Sequence, residues 1–255
     1  MELLVGFAIA ALIAMTGVGA GTITAPLLIL FLNVPVEAAV GTALAYSAAV
    51  KLVVVPVQIW RRQVAWRTLG IILLTGIPGV AVGSLVFQRI AHSRSNTLWL
   101  FLALGLMIAT SSAWHVFRHF RPADIPPEDR TNRPGWLALA MLPVGAEVGF
   151  SSSGAGALGT LALLGLTPLD ARRIVGTDLA FGLCLALVGG SLHLRSSGLD
   201  PALLTNLIIG GVLGALAGTG LASRIPVRAM RLVLSLWLFA MGMQLCWHAL
   251  AQARG

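Results

Sequence analysis

Long apolar runs dominate the pattern of hydrophobic and polar positions along this chain. Six runs of about 20 residues are each long enough to cross a hydrocarbon layer of roughly 30 Å as an α-helix. Apolar residues are continuous within the runs, which favours helices over the alternating strands of a membrane barrel. The pattern predicts an all-α, polytopic helical membrane protein with spans at 36–59, 68–88, 97–117, 174–193, 202–222 and 231–250.

Two further apolar segments, 3–32 and 136–166, are broken near their middle by small and hydroxyl residues. Residues 16–22 read TGVGAGT, and residues 151–157 read SSSGAGA. Glycine allows backbone angles that end one helix and begin another, and the first N–H groups of the new helix then lack partners. Each segment is therefore predicted to form two short helices separated by an irregular turn.

The two broken segments belong to an internal repeat. A shift of 135 positions places six of the ten glycines before residue 120 on glycines of the C-terminal half. The same shift aligns GTALA at 41–45 with GTDLA at 176–180. Such self-similarity indicates a duplication. Because 3–32 has a counterpart at 136–166, we expect it to stay in the folded protein rather than to be removed as a signal peptide.

A polar stretch from Arg118 to Arg133 separates the two copies. It is rich in proline and charged residues, and it interrupts the succession of apolar runs. We therefore expect two repeats joined by a cytoplasmic linker, and each repeat holds one broken segment and three spans. The expected divisions are 1–120, 121–135 and 136–255.

Composition narrows the class of protein. Hydrophobic residues make up 57% of the 255 residues, charged residues 10%, and mean hydropathy is +0.90. Soluble domains carry about 25% charged residues, so a water-soluble globular protein is excluded. The net charge of +8 is not gathered into a basic patch, and no nucleic-acid partner is expected. Cys184 and Cys246 lie in apolar runs without a metal-binding or redox motif, so no metal and no cofactor are expected.

The distribution of the 17 cations predicts the topology. If each broken segment crossed the membrane once, nine cations would lie on one side and seven on the other. If each segment turns back as a hairpin, one side carries twelve and the other four, with Lys51 inside a span. Cations are enriched on the cytoplasmic side, so we prefer the hairpin and place the twelve in the cytoplasm. Each half then crosses an odd number of times, which predicts two inverted halves.

The two breaks are candidate anion sites. The N-terminal end of a helix carries partial positive charge and unpaired N–H donors, and both favour an anion. Two such ends, one from each inverted half, are expected to meet near the middle of the membrane. The candidate substrate-binding residues are Gly19, Ala20, Gly21, Thr22, Thr42, Ser151, Ser152, Ser153, Gly154, Ala155, Gly156 and Thr177.

Close helix packing is the alternative explanation of these glycines. A four-residue spacing of glycines lets membrane helices approach each other closely. Pairs with this spacing include Gly17 and Gly21, Gly79 and Gly83, Gly145 and Gly149, and Gly214 and Gly218. Gly79 and Gly83, and likewise Gly214 and Gly218, have no polar cluster beside them, so packing is the preferred interpretation for these two pairs.

Three ionisable residues lie within apolar segments, where charge is costly and usually functional. Asp178 replaces Ala43 of the other half, so it is a candidate for proton coupling, with a buried hydrogen-bonding role as the equal alternative. Lys51 either supplies charge to an anion path or extends its ammonium group to the interface. Glu147 lies one turn before the serines and either pairs with a cation or faces an aqueous vestibule. His193 is expected near the membrane interface.

Enzyme motifs are incomplete in this chain. Residues 154–159, GAGALG, match the dinucleotide fingerprint in spelling but lack the preceding strand. Ser153 and Gly154 with a distant His193 point towards an intramembrane serine protease, yet its usual Gly-x-Ser-Gly motif would need glycine where Ser151 stands. No enzymatic activity is expected.

The order of these motifs resembles the TauE/SafE family of sulfite exporters, which is also grouped as sulfonate-uptake permeases. The first half carries GAG at 19–21 and then VP at 34–35, leading to AVGT at 39–42. The second half carries GAG at 154–156 and VGT at 175–177, followed by His193 and GLD at 198–200. The resemblance covers nearly the whole chain.

This resemblance implies a multi-pass transporter of the bacterial cytoplasmic membrane that carries sulfite, organosulfur compounds or related small anions. The chain departs from the family where Ala20 and Ala155 stand in the middle of glycine runs that are often all glycine. Leu161 also stands where the first half has Pro26. These departures do not remove the helix break. They bear instead on how the substrate fits.

The sequence therefore predicts a secondary transporter in which opposed helix ends hold a small inorganic or organosulfur anion, with proton coupling as a further expectation. A membrane scaffold or assembly factor, whose glycines serve packing only, is the alternative. The expected partners are the anion and the lipid bilayer, and a homodimer is one alternative for the oligomeric state. The particular anion and the direction of transport are left open.

A topology reporter tests the hairpin arrangement. A reporter fused after Arg130 is expected on the cytoplasmic side, and one fused after Arg195 on the opposite side. The reason is that segment 136–166 turns back in the hairpin arrangement, so only the span 174–193 separates the two positions. Alkaline phosphatase and green fluorescent protein fusions, which are active on opposite sides, provide the measurement. If both fusions report the same side, the hairpin arrangement is wrong.

Overall fold

The computed structural model describes residues 2–16, 20–91, 97–119, 132–153, 156, 158–194, 200–221 and 227–252. These residues form ten α-helices and contain no strand, so the predicted all-α class is confirmed. In chain order the helices are α1 (Glu2–Thr16), α2 (Ala20–Phe31), α3 (Val36–Trp60), α4 (Trp66–Ala91), α5 (Thr97–His119), α6 (Pro134–Ser151), α7 (Leu158–Leu166), α8 (Ala171–Leu194), α9 (Pro201–Leu221) and α10 (Val227–Gln252).

Each predicted span corresponds to one long helix, and the observed ends lie within four residues of the predicted ones. Helices α3, α4, α8 and α9 are long and apolar enough to cross a membrane. The described apolar stretches of α5 and α10, at 98–114 and 235–247, are shorter. Large apolar side chains such as Leu74, Leu106 and Leu213 are exposed on the outer surface, where lipid would cover them. The architecture is a polytopic helical bundle.

The broken segments form the predicted pairs of short helices, α1 with α2 and α6 with α7. Helix α6 ends at Ser151 because Ser152 adopts a left-handed backbone conformation, with φ of 61°. The N–H of Ser152 donates to the carbonyl oxygen of Val148 at 2.9 Å, which closes the last turn. Gly156, with φ of 99°, also has an angle that favours glycine. Residues 17–19, at the other break, lie outside the described part of the chain.

The first helix of each broken segment packs against a span of the other half. Helix α1 lies along α9, and α6 lies along α4. The α1–α9 contacts advance together along both helices: Leu3 with Gly210, Phe7 with Gly214 and Ala11 with Gly218. The α4–α6 contacts do the same: Thr75 with Ala138, Gly79 with Leu142 and Gly83 with Ala146. Both pairs of helices are therefore parallel, and a shift of 135 positions converts one set of contacts into the other.

Further helix pairs join the halves, among them α3 with α8, α4 with α8, α3 with α9 and α5 with α10. Helices α3 and α8 are antiparallel, since Leu44 contacts Gly189 while Lys51 interacts electrostatically with Asp178. Helix α8 runs parallel to α4, as successive contacts show: Gly76 with Phe181 and Val80 with Gly189. Because α4 is parallel to both α6 and α8, the helices before and after α7 run in the same direction.

The core is centred on α3 and α8, which are buried over most of their length. Tyr46 of α3 and Phe181 of α8 are fully buried and rest on Gly211 and Gly76, respectively. The hydroxyl of Tyr46 donates to the backbone carbonyl oxygen of Gly6 in α1. The two central helices thus fix the positions of α1, α4 and α9 around them.

Close backbone contact confirms the packing interpretation of several glycines. A Cβ atom at Gly79 or Gly83 would overlap a backbone carbonyl of α6, and one at Gly214 or Gly218 would overlap a backbone carbonyl of α1. Gly145 and Gly149 meet α4 in the same way, against the carbonyl oxygens of Gly76 and Val80. These glycines are therefore packing residues.

Two alanine substitutions in α4 test this role. Gly83→Ala is expected to lower the free energy of unfolding by about 1–3 kcal/mol, since the added methyl group overlaps Ala146. Gly70→Ala is the matched control: nothing lies within 4 Å of its Cβ position, and alanine favours a helix by about 1 kcal/mol. Denaturant unfolding of the purified protein in detergent measures both. Equal effects at the two positions would contradict the packing role.

Candidate functional site

The two helix breaks meet inside the bundle. Gly21, in the first turn of α2, lies directly against Ser152, just beyond the end of α6. A Cβ atom on Gly21 would overlap the carbonyl oxygen and the hydroxyl of Ser152, so only glycine permits this approach. The two broken segments therefore meet where the start of α2 contacts the residue after the end of α6, whereas the sequence predicted a meeting of two helix N-terminal ends.

The three serines at the end of α6 lie close to Glu147, and Ser151 and Ser153 form a hydrogen-bonded cluster with it. The Ser151 and Ser153 hydroxyls are 2.8 Å apart, and the Ser153 N–H donates to the Ser151 Oγ at 3.2 Å. The Ser153 hydroxyl donates to Glu147 Oε1 at 3.1 Å. The Ser151 hydroxyl also donates to the Glu147 carbonyl oxygen at 2.9 Å. All four residues are buried, so a carboxyl group is connected to the break through hydroxyls.

Two buried hydroxyls, one at the second break and one in α3, have no hydrogen-bond partner in the described structure. They are the Oγ of Ser152 and the Oγ1 of Thr42, on residues that are 6% and 1% exposed. An unpartnered buried hydroxyl costs about 1–3 kcal/mol, so such groups usually serve a ligand. Thr22, the residue after Gly21, is also buried.

Asp178 lies between α7 and α3. The Thr160 hydroxyl, in the first turn of α7, donates to Asp178 Oδ2 at 2.7 Å, and the other carboxylate oxygen lies against Gly159. Lys51 of α3 is 4% exposed and interacts electrostatically with Asp178. The two predicted charged residues are therefore brought together across the interface between the halves. The ammonium group of Lys51 is buried and does not extend to the interface.

Thr177 and His193 have hydrogen-bond partners other than the serines. The Thr177 Oγ1 accepts a hydrogen bond from the N–H of Ala65 at 2.9 Å, so this side chain holds the loop between α3 and α4. His193, near the other end of α8, bonds the Gly189 carbonyl oxygen through Nδ1 and packs 5.3 Å from the Phe87 ring. His193 is buried within the bundle, in the last turn of α8.

Several predicted positions cannot be placed. Gly19, Gly154 and Ala155 lie outside the described residues, and Ala20 begins α2 without a described side chain. Thr160, by contrast, is a polar partner of Asp178 that the sequence analysis did not single out. Its 18-residue separation from Asp178 contains a helix end and a turn, and no local pattern connects the two positions.

The chain was compared with known proteins. The sequence model of the sulfite exporter family TauE/SafE matches residues 2–245. The chain belongs to the TauE/SafE family. This match confirms the resemblance found in the motifs. No solved structure matches the chain.

Curated relatives of this TauE/SafE protein cover most of its length. A protein of Bacillus subtilis (strain 168) named "Probable membrane transporter protein YjnA" is 27% identical over 95% of this chain and 98% of its own. "Probable inner membrane transporter protein TsaS" of Comamonas testosteroni is 30% identical over 73% of this chain and 74% of its own. A "Probable membrane transporter protein" of Xylella fastidiosa (strain 9a5c) is 26% identical over 97% of this chain and 93% of its own. The TauE/SafE chain is a multi-pass membrane transporter.

Proposed function

We propose that this protein is a secondary transporter of small anions, with sulfite and organosulfur or sulfonate compounds as the substrate class. The observation that carries the proposal is the contact between Gly21 and Ser152, where the two helix breaks meet beside unpartnered buried hydroxyls. The N–H groups at the start of α2 and the hydroxyls of Thr42 and Ser152 are the donors offered to the anion. The family description and the relatives' names support transport.

The two halves are proposed to be inverted repeats, with each broken segment turning back as a hairpin. Helices α3 and α8, which correspond under the 135-residue shift, run antiparallel. Helix α6 runs parallel to α8, so α7 lies between two helices of the same direction. Both observations support the hairpin arrangement. Rocking one half against the other around the Gly21–Ser152 contact then exposes the anion alternately to the two sides.

Proton coupling is assigned, within this proposal, to Glu147 rather than to Asp178. Lys51 interacts electrostatically with Asp178, whereas no described cation forms an ion pair with Glu147. A buried charge without a partner is costly in a membrane, and protonation removes it. The described titratable side chains on the helices packed against α6 are Arg67, Arg89, Arg172, Arg173, Asp178, Cys184 and His193.

Ser153 provides the connection between Glu147 and the anion. When Glu147 is charged, its carboxylate accepts the Ser153 hydroxyl proton and adds negative charge next to the break. When Glu147 is protonated, that charge is gone and the hydroxyl can turn to the anion. An anion and a proton are then expected to bind together, which gives symport of the two.

Transport of labelled sulfite, thiosulfate, sulfate and a sulfonate into proteoliposomes tests the function. The wild-type protein is expected to carry at least one of them. Gly21→Val is expected to abolish this flux, since the side chain overlaps Ser152; Gly156→Val should act similarly through its positive φ. Ser152→Gly keeps the left-handed backbone but removes the hydroxyl, and should raise KM about tenfold.

The control for these variants is Gly165→Val in α7, where nothing lies within 4 Å of the Cβ position. Unfolding measurements on each purified variant separate loss of function from loss of fold. Unchanged flux in a folded Gly21→Val variant would mean that the breaks serve packing only. That result, or a wild-type protein that carries none of the anions, would favour the scaffold alternative.

A pH gradient across the same vesicles tests the coupling. Glu147→Gln is expected to remove the dependence of flux on the gradient, because glutamine cannot exchange a proton. The double variant Lys51→Met, Asp178→Asn is the control and should keep the response, since it removes both charges of the buried pair together. Loss of the response in the double variant only would assign coupling to Asp178, as the sequence analysis expected.

A further inference from the structure

A cavity of about 530 Å³ opens where the α3–α4 loop meets the α7–α8 loop. Three arginines line it, Arg62, Arg67 and Arg173, together with the ring of Trp66. None of the described lining residues is acidic. Guanidinium groups form paired, charge-assisted hydrogen bonds to two oxygen atoms of one anion. The lining therefore has the chemistry of an oxyanion site.

Two of the three arginines have no ion-pair partner among the described residues. Arg173 lies 3.7 Å from the carboxylate of Asp170, and both side chains are 57% exposed, so this pair is weak. Arg62 and Arg67 form no such pair with any described side chain. Positive charge in the cavity is thus largely uncompensated by the protein itself.

Arg62 occupies an unusual backbone position. Its φ is 54°, in the left-handed region that glycine and asparagine normally occupy. The N–H groups of Arg61, Arg62 and Gln63 donate back to the last turns of α3, so this conformation closes the helix. Glycine would serve that closure with less strain. Closing the helix therefore does not by itself account for an arginine side chain at position 62.

The loop that lines the cavity is hydrogen-bonded to α8, next to Asp178. The loop that carries Arg62 is held to α8 by the hydrogen bond from Ala65 N–H to Thr177, and Gly176 lies against the Gln63 carbonyl oxygen. Thr177 immediately precedes Asp178, and Arg173 lies one turn before Thr177 on the same face of α8. Arg173 and the loop that carries Arg62 thus lie beside the first turns of α8, one to two helical turns before Asp178.

The arginines are confined to one end of the bundle. Under the 135-residue shift, the positions of Arg62, Arg67 and Arg173 correspond to Ser197, Ala202 and Ala38. A preference for cations on the cytoplasmic side explains arginine in these loops, but not which positions line the cavity. Arg61 and Arg172 are adjacent and exposed, yet do not line it.

We propose that this cavity is a vestibule that binds a small oxyanion at one end of the transport path, on the side assigned to the cytoplasm. The inference rests on the proposed function and adds a second binding site to it. Arg62 and Arg67 hold the anion there, and the corresponding positions of the other half, Ser197 and Ala202, carry no guanidinium group. Affinity for the anion is consequently higher from the vestibule side.

The phosphate of an anionic lipid offers the same oxyanion chemistry. The small solute is favoured because Ala65, in the wall of the cavity, is bonded to Thr177 of the central helix α8, next to Asp178. Transport measured in phosphatidylcholine alone, and again with added phosphatidylglycerol, distinguishes the two sources.

Neighbouring arginines provide matched variants for the test. Sulfite transport is measured from each face in right-side-out and inside-out vesicles. Arg62→Gln is expected to raise KM about tenfold from the vestibule face and to leave KM from the other face unchanged. Arg61→Gln and Arg172→Gln should leave both values unchanged. Arg62→Lys should recover part of the affinity, since it keeps the charge but loses the paired hydrogen bonds.

Equal changes of KM in Arg61→Gln and Arg62→Gln, or no change in either, would overturn the vestibule. An effect of Arg62→Gln that appears only with phosphatidylglycerol would assign the cavity to lipid and also overturn it. Equilibrium dialysis of labelled sulfite against the purified protein separates this inference from the proposed function. If the wild type binds sulfite but carries none, and Arg62→Gln weakens binding while Arg61→Gln does not, then the oxyanion site stands and the transport proposal fails.

Discussion

Helices in a lipid bilayer gain little from hiding apolar side chains from one another, so this bundle depends on close contact between helix backbones. Glycine makes that contact at Gly83 against Ala146 and at Gly214 against Phe7, where one backbone reaches the carbonyl oxygen of the other. Close packing also brings many weak dispersion contacts into range. The positions of α1 and α6, and through them both helix breaks, follow from these contacts.

Each half supports the broken segment of the other half. Helix α1 is held by α9, and α6 by α4, while Tyr46 of the central α3 bonds the backbone of α1. This packing of each broken segment against the other half places the two breaks side by side, with Gly21 in contact with Ser152. A candidate anion site built this way includes both halves, so relative motion of the halves acts on it directly.

The chemistry of the site is less symmetric than its backbone. Corresponding helix pairs repeat their contacts, but Lys51 belongs to the first half, and Glu147 and Asp178 to the second. The serine cluster also stands at one break only. After a duplication, the repeated glycines preserve the fold, and polar residues are free to differ between the copies. In the proposed transporter, that difference allows one side of the pathway to bind the anion and exchange protons differently from the other.

The sequence by itself determined the long helices, the positions of the breaks and the glycine spacing, because each depends on neighbouring residues and on the thickness of the bilayer. It also singled out Lys51, Glu147 and Asp178, since charge inside apolar runs is rare. Only the tertiary structure decided that Lys51 faces Asp178, that Thr160 bonds this carboxylate and that Gly21 meets Ser152. These contacts join residues on different helices, and the rotation of each helix about its axis is set by packing rather than by local sequence.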